Sequence, residues 1–294
     1  MAGLPSNPTP DPRPPMNDLA LAPSAHALVA DLLTLAECPR ATEYVCVTAR
    51  REHGVRSAPI DRPTLAIVLR GRKRLHMGID TVDLEAGDLF VVARPGRLDA
   101  FNWPDAEGVY LTLMLPLCDE VLTAARTLWA QPVLPQAGPD VIAMPAERLA
   151  APLGAWADAL RRAEYGPARA ALATLLVRLC ALGHTAMLAP PPPSLSARIR
   201  ALVAEQPQRA WRSADFEAEL GLSGATLRRR LAAEGGSLVD AIAEARLACA
   251  LHLLYTTRWP VKTVAARVGY RSVATFSRRF AQRYGVEAGA IGNA

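Results

Sequence analysis

Arginine is the residue type whose placement here could do chemistry. Arg228, Arg229 and Arg230 are consecutive, and Arg258, Lys262, Arg267, Arg271, Arg278, Arg279 and Arg283 follow with no acidic residue between 258 and 283. A guanidinium stays charged and offers five donors in a rigid fork, which suits phosphate oxygens and the paired acceptors of guanine. Residues 195–294 hold 15 Arg/Lys against 8 Asp/Glu, while residues 1–194 hold 18 against 20. The chain's net charge of +5 therefore originates in its last hundred residues. A charge run is most often a solvated face, but a block of one sign inside a helical pattern points to a polyanion partner.

Other chemistries find little footing. The histidines are His26, His53, His76, His184 and His252; none forms an H-x-H pair, and only His53 and His76 fall among candidate strands. Two histidines without a clustered carboxylate do not close a metal site, so neither metal nor cofactor is expected. Cys38, Cys46, Cys118, Cys180 and Cys249 are odd in number and never spaced C-x-x-C, as in a reducing compartment. No Ser/His/Asp or Cys/His grouping stands out, and no apolar run approaches the ~18 residues of a membrane span. The opening MAGLPSNPTPDPRPPMND has neither a basic nor an apolar leader region. A cytoplasmic protein with a disordered Pro-rich tail over 1–24 is the expectation.

These arginines need helices to hold them. Ala189–Ser194 reads APPPPS, a stiff spacer that no helix crosses, and it divides 25–188 from 195–294. Beyond it, Leu195–Gln206 has the spacing of a helix, ended by Pro207. Ser213 can cap a second helix that Gly221 closes, and Ser223 can cap a third over Gly224–Ala233, stopped by Gly235-Gly236. Two short helices across a glycine turn, the second rich in arginine, make a helix-turn-helix pattern. After a long helix, Leu238–Tyr255, the pattern returns: Val261, Val264, Ala265 and Val268, then Gly269, then Ser272 ahead of Phe276 and Phe280. Gly221 aligns with Gly269, and Leu227/Leu231 with Phe276/Phe280.

Upstream, short β-branched runs alternate with turns. TEYVCVTARRE, PTLAIVLRGRKRLHM around Gly71, TVDLEAGDLFVVARPG around Gly87-Asp88, and VYLTLMLPL read as strands of a small sandwich or barrel. Gly87-Asp88 suits a hairpin. Leu65, Ile67, Leu69, Phe90 and Val92 could line a ligand cavity inside, although packed core is the plainer reading of most of them. Pro145–Ala163 and Pro167–Leu188 form an amphipathic helix pair, broken at Tyr165-Gly166-Pro167, that packs on the barrel or on a second subunit.

Val261–Gly285, with Arg246–Leu254 and Ser223–Leu231, resembles the DNA-binding domain of the AraC/XylS family of transcription regulators. Pro63–Lys73, Ala86–Phe90 and Val109–Leu113 resemble the cupin-like N-terminal domain of one branch of that family. The fold implied is α+β: a cupin-like β-barrel sensor with a helix pair over 25–188, then an all-α domain with two helix-turn-helix units over 195–294. The resemblance implies duplex DNA as partner, a small-molecule effector in the barrel, homodimerisation through the helix pair, and RNA polymerase contact in an activator. Three departures stand out. Glu217 sits where the family prefers a small apolar residue, Leu231 replaces a phenylalanine, and residues 287–294 lack the usual proline and arginine.

A recognition helix turns its N-terminal polar face to base edges. That nominates Gly224, Ala225, Arg228 and Arg229 in the first unit, and Val273, Ala274, Thr275, Ser277 and Arg278 in the second. Arg230, Arg271, Arg279 and Arg283 fall to phosphates or to solvent. Two other readings stay open: a cupin-type metal-dependent enzyme with a helical appendage, and an effector-free DNA- or partner-binding protein.

Overall fold

The computed structural model describes residues 23–36, 44–133, 138–190 and 194–291. Residues 1–22 of the Pro-rich tail, residues 191–193 of the spacer, and the last three residues lie outside the described residues, while Pro23 and Ser24, read as part of the tail, open helix α1.

Nine strands form two antiparallel sheets. The first sheet runs in the order β1 (Val45–Ala49), β8 (Tyr110–Pro116), β3 (Thr64–Arg70), β6 (Asp88–Val92), β9 (Val141–Pro145). The second runs β2 (His53–Ile60), β7 (Gly96–Trp103), β4 (Arg72–Met77), β5 (Asp80–Glu85). Strands β2, β7 and β9 are additions to the sequence reading.

The turns at Gly71 and Gly87 are not hairpins. β3 leaves Gly71 for β4 in the other sheet, and β5 leaves Gly87 for β6 back in the first. Both glycines adopt left-handed backbone, φ 77° and 96°. A Cβ at 71 would stand 2.3 Å from the Trp103 carbonyl oxygen, so only glycine fits that crossover. At Gly87 the backbone N–H donates to Val68 O (2.8 Å), tying the crossing to the first sheet.

The central strand β3 is buried on both faces, which explains its continuous apolar run. Ala66 and Val68 pack between the sheets with Leu75, Leu84, Phe90, Val92 and Tyr110. Leu65, Ile67 and Leu69 point the other way, into a core covered by α1 (Pro23–Ala36), α2 (Asp119–Trp129), α3 (Ala150–Arg161) and α4 (Tyr165–Ala181). The helix pair breaks at Arg162–Glu164, where Ala163 is left-handed (φ 57°), and not at Tyr165-Gly166-Pro167, which open α4. Proline is acceptable there because the first-turn N–H groups have no intrahelical acceptor.

Seven helices follow: α5 (Leu195–Glu205), α6 (Ser213–Leu220), α7 (Gly224–Ala233), α8 (Leu238–Thr256), α9 (Val261–Arg267), α10 (Val273–Tyr284) and the short α11 (Ala288–Ile291). They enclose two cores. Ile199, Val203, Phe216, Leu227, Leu231, Ala241 and Ala245 form one. Leu247, Ala250, Leu254, Val264, Phe276, Phe280, Tyr284 and Ile291 form the other. Helix α8 contributes its first half to one core and its second half to the other, so it acts as the spacer between them.

Candidate nucleic-acid interface

Both helix-turn-helix units are locked locally by the same devices. The turns carry Gly221 and Gly269 at φ 65° and 83°. Ser223 Oγ accepts from the Thr226 N–H, and Ser272 Oγ from the Thr275 N–H, each at 3.3 Å. These caps satisfy donors that a helix start otherwise leaves open. Ser213 does not cap α6; it is the first helical residue, and its hydroxyl donates to Glu217 Oε1 at 2.8 Å. The Asp215 carboxylate does the end-locking instead, accepting from the Arg212 backbone N–H at 2.7 Å.

On α7, Leu227 and Leu231 turn inward, leaving Ala225, Arg228, Arg229 and Arg230 exposed and Gly224 half-buried. On α10, Phe276, Phe280 and Tyr284 form the inner stripe. At 100° per residue the opposite stripe holds Ala274 and Arg278, which are exposed together with Val273 and Arg279. Thr275 and Ser277 are half-buried at its flanks. Gln282 is exposed on the same outward stripe, toward the far end. The nominated residues thus reach the surface at the capped ends of two helices held apart by α8, whose 19 residues span about 28 Å.

Arg283 behaves differently. Its guanidinium lies over the Tyr284 ring (5.2 Å to the centroid) and 3.9 Å from Glu244 Oε1, leaving the side chain 18% exposed. Glu244 also accepts from Arg97 on β7 at 2.7 Å. Arg283 thus lies at the contact with the sheets and is held by Glu244 and Tyr284; periodicity on α10 alone places it beside Arg279 and gives no sign of that neighbour.

A cleft of about 500 Å³ opens between the two units. Trp211, Arg212, Arg246, Tyr270, Arg271 and Arg279 line it, and no carboxylate does. Arg246 fixes its geometry, donating to the Pro207 and Arg209 carbonyls at 2.9 Å each. Arg212, Arg246 and Trp211 were missed from sequence, since they gather only once the segment before α6 meets the turn at Gly269. The one available signal was Arg246 inside the motif of the connecting helix.

The five suggested cavity residues do not converge. Leu65, Ile67 and Leu69 face the helices, Phe90 and Val92 face the second sheet, and each is at most 2% exposed. They are packed core on opposite sides of one sheet. Among the described residues, no group of three His, Cys, Asp or Glu could hold a metal ion. No described helix is long and apolar enough to cross a membrane.

Comparison with known proteins agrees with this geometry. A helix-turn-helix domain family matches residues 217–292. The HTH-type transcriptional regulator Rv1395 of Mycobacterium tuberculosis, itself uncharacterised, is 44% identical over 72 residues, which are 24% of this chain and 21% of the relative. The virulence regulon transcriptional activator VirF of Shigella flexneri is 29% identical over 93 residues, 32% of this chain and 36% of the relative. The chain therefore spans only about a fifth to a third of the length of the curated relatives it matches. Apo ToxT from Vibrio cholerae shares the fold across both parts, with a TM-score of 0.60 at 15% identity over 84% of this chain and 96% of that one. ToxT bound to an unsaturated fatty acid superimposes with a TM-score of 0.55 at 15% identity over 83% and 92%. The chain thus carries a helix-turn-helix domain over residues 217–292 behind a two-sheet domain, and the two together share the fold of ToxT.

Proposed function

We propose that the protein is a sequence-specific DNA-binding regulator of transcription, with residues 195–294 as the reader and 25–188 as a sensor for a small-molecule effector. One observation carries the reading. Two capped helices present Ala225, Arg228 and Arg229, and Val273, Ala274 and Arg278, at a separation set by α8. A spacer helix about 28 Å long is of the order of one DNA turn, ~34 Å, so successive major grooves on one face would receive both helices. Arg228 and Arg278 would read guanine edges, and Ala225, Ala274 and Thr275 would meet thymine methyls. Arg230, Arg271 and Arg279 would hold phosphates, the last two from the cleft between the units.

In this reading the protein performs no catalysis and works in the cytoplasm. The effector half is supported by the shared fold with ToxT, which has been seen with a fatty acid bound. Homodimerisation and RNA polymerase contact follow from the kinship and belong to the same proposal. Selection of bound sequences from random duplexes, with the full-length protein, tests it. The expected outcome is an asymmetric site of two elements about 10 base pairs apart. Recovery of unenriched DNA would defeat the reading.

A further inference from the structure

Polar side chains are closed off from water where the sheets meet α8. His53 on β2, Lys73 on β4, Asn102 on β7 and Thr112 on β8 are all buried. Tyr255, from the last turn of α8, reaches in from the helical domain: its hydroxyl lies 2.6 Å from His53 Nε2. Lys73 Nζ donates to Asn102 Oδ1 at 2.7 Å and sits 5.4 Å from the centre of the Tyr110 ring. The Thr112 hydroxyl donates to that of Tyr110.

The hydrogen bonds select one form of His53. Its Nδ1 is 3.0 Å from the Arg51 carbonyl, which can only accept, so Nδ1 carries the proton. Nε2 of the neutral ring is then a lone pair, and the Tyr255 hydroxyl donates to it. The Asn102 amide nitrogen, a donor, lies 3.4 Å from both Nε2 and the Tyr255 oxygen. A second proton on His53 would turn Nε2 into a donor: the Tyr255 hydroxyl would have to rotate and accept instead, the Asn102 amide would face Nε2 donor to donor, and the Lys73 ammonium would stand behind them. The titratable groups facing the cluster are His53, Lys73, Tyr110 and Tyr255, from β2, β4, β8 and α8; no carboxylate pairs with His53 or Lys73 among the described residues.

We propose that the His53–Tyr255 bond, braced by Asn102 and Lys73, is a proton-operated latch between the β domain and the helix that spaces the two helix-turn-helix units. It closes when the cluster holds few protons and opens when it gains them. This rests on the DNA-reading role proposed above and supplies a route for its regulation.

The direction follows from proton linkage. Burial first, then the charge of Lys73, hold His53 below the ordinary imidazole range, against the opposing pull of the Arg51 carbonyl. Burial pushes Lys73 from 10.5 down to about 7. Both groups therefore bind protons less readily when closed than when hydrated. The closed state weakens as pH falls from 10.5 to about 7 through Lys73, and again below 6.5 through His53. The Arg97–Glu244 and Arg200–Asp61 ion pairs, at 2.7 and 2.9 Å, cross the same boundary.

Small-angle scattering of the full-length protein between about pH 8.5 and about pH 5.5, with DNA affinity measured on the same samples, tests the latch. The wild type should expand as the pH falls. His53→Gln, which accepts from Tyr255 but takes no proton, should lose the step below about pH 6.5. Lys73→Met should lose the step above it, and Tyr255→Phe should be expanded throughout. A wild-type radius of gyration that does not change, or a His53→Gln profile that superimposes on it, overturns the proposal. Expansion without DNA binding at any pH would sink the regulator reading and leave the latch standing. DNA binding that ignores both pH and these substitutions would do the reverse.

Discussion

The Glu217 carboxylate occupies the space that a side chain at Gly224 would need. Its Oε1 lies 2.7 Å from where a Cβ at 224 would stand. Position 217 faces the start of α7, where the resemblance to the AraC/XylS family implies a small residue. Here the bulk is exchanged across the contact: the glutamate is long, its partner has no side chain, and Ser213 satisfies the buried-side oxygen. The first unit therefore keeps its packing without the usual residue.

Exchange of this kind predicts coupling. Gly224→Ala alone should be neutral or destabilising, because the gain from replacing glycine, about 0.5–1 kcal/mol, is offset by the clash. In a Glu217→Ala background the same change should stabilise. A double-mutant cycle by urea denaturation should return a coupling of about 1 kcal/mol, and additive effects would show the two residues independent.

Arg228→Ala and Arg278→Ala should each relax sequence preference at one part of the site, at a cost of about 1–3 kcal/mol. Arg271→Ala and Arg279→Ala should lower affinity evenly across sequences and reduce the salt slope by about 1 each. Arg283→Ala should leave both preference and salt slope unchanged, since that side chain meets Glu244 and the Tyr284 ring. Binding isotherms on the selected site and single-base variants, at three salt concentrations, separate these outcomes.

Spacing offers a geometric check. Both units are tied to the rigid α8, so about five base pairs inserted between the two elements should rotate them to opposite faces and abolish joint binding. Footprints should then contract to one protected element per protein. Unchanged protection would mean that a single unit reads DNA.

Glu234 supplies a pH dependence of its own. It accepts from the Leu195 and Ser196 N–H groups at 2.7 and 2.9 Å, and from the Ser194 and Ser196 hydroxyls, so the end of α7 clasps the start of α5. Burial alone would raise its pKa, but the four donors, Ser196 foremost, outweigh that and hold it at about 2. The stabilisation is complete above 4.5 and fades as pH falls from there toward 2. Thermal unfolding of Glu234→Gln should show a lower midpoint at pH 7 and a flatter acid limb than the wild type.

The helix-turn-helix units were legible because their signals are local. Gly221, Gly269, Ser223, Ser272 and the Leu227/Leu231 and Phe276/Phe280 stripes lie within a few residues of the structure they specify. The sheets were less so. Gly71 and Gly87 look alike whether the chain reverses in place or crosses to another sheet, and only partners far along the sequence decide. Leu65 and Phe90 are both apolar strand residues, yet which side each faces depends on a second sheet that no local pattern reveals. The surroundings of Arg283 were hidden for the same reason: its helix alone would expose it, and Glu244 with the adjoining β domain encloses it.

Val55, on β2, is buried in the same core as Leu247, Phe276, Phe280 and Tyr284. The second helix-turn-helix unit is therefore completed by a side chain from the other end of the fold. Cut free at the spacer, the reader would expose the apolar socket that Val55 fills and should be prone to self-association. As a part for chimeric regulators it is not interchangeable: a foreign sensor fused at residue 195 would have to bring its own plug, or the fusion would inherit a sticky face and a loosened second unit.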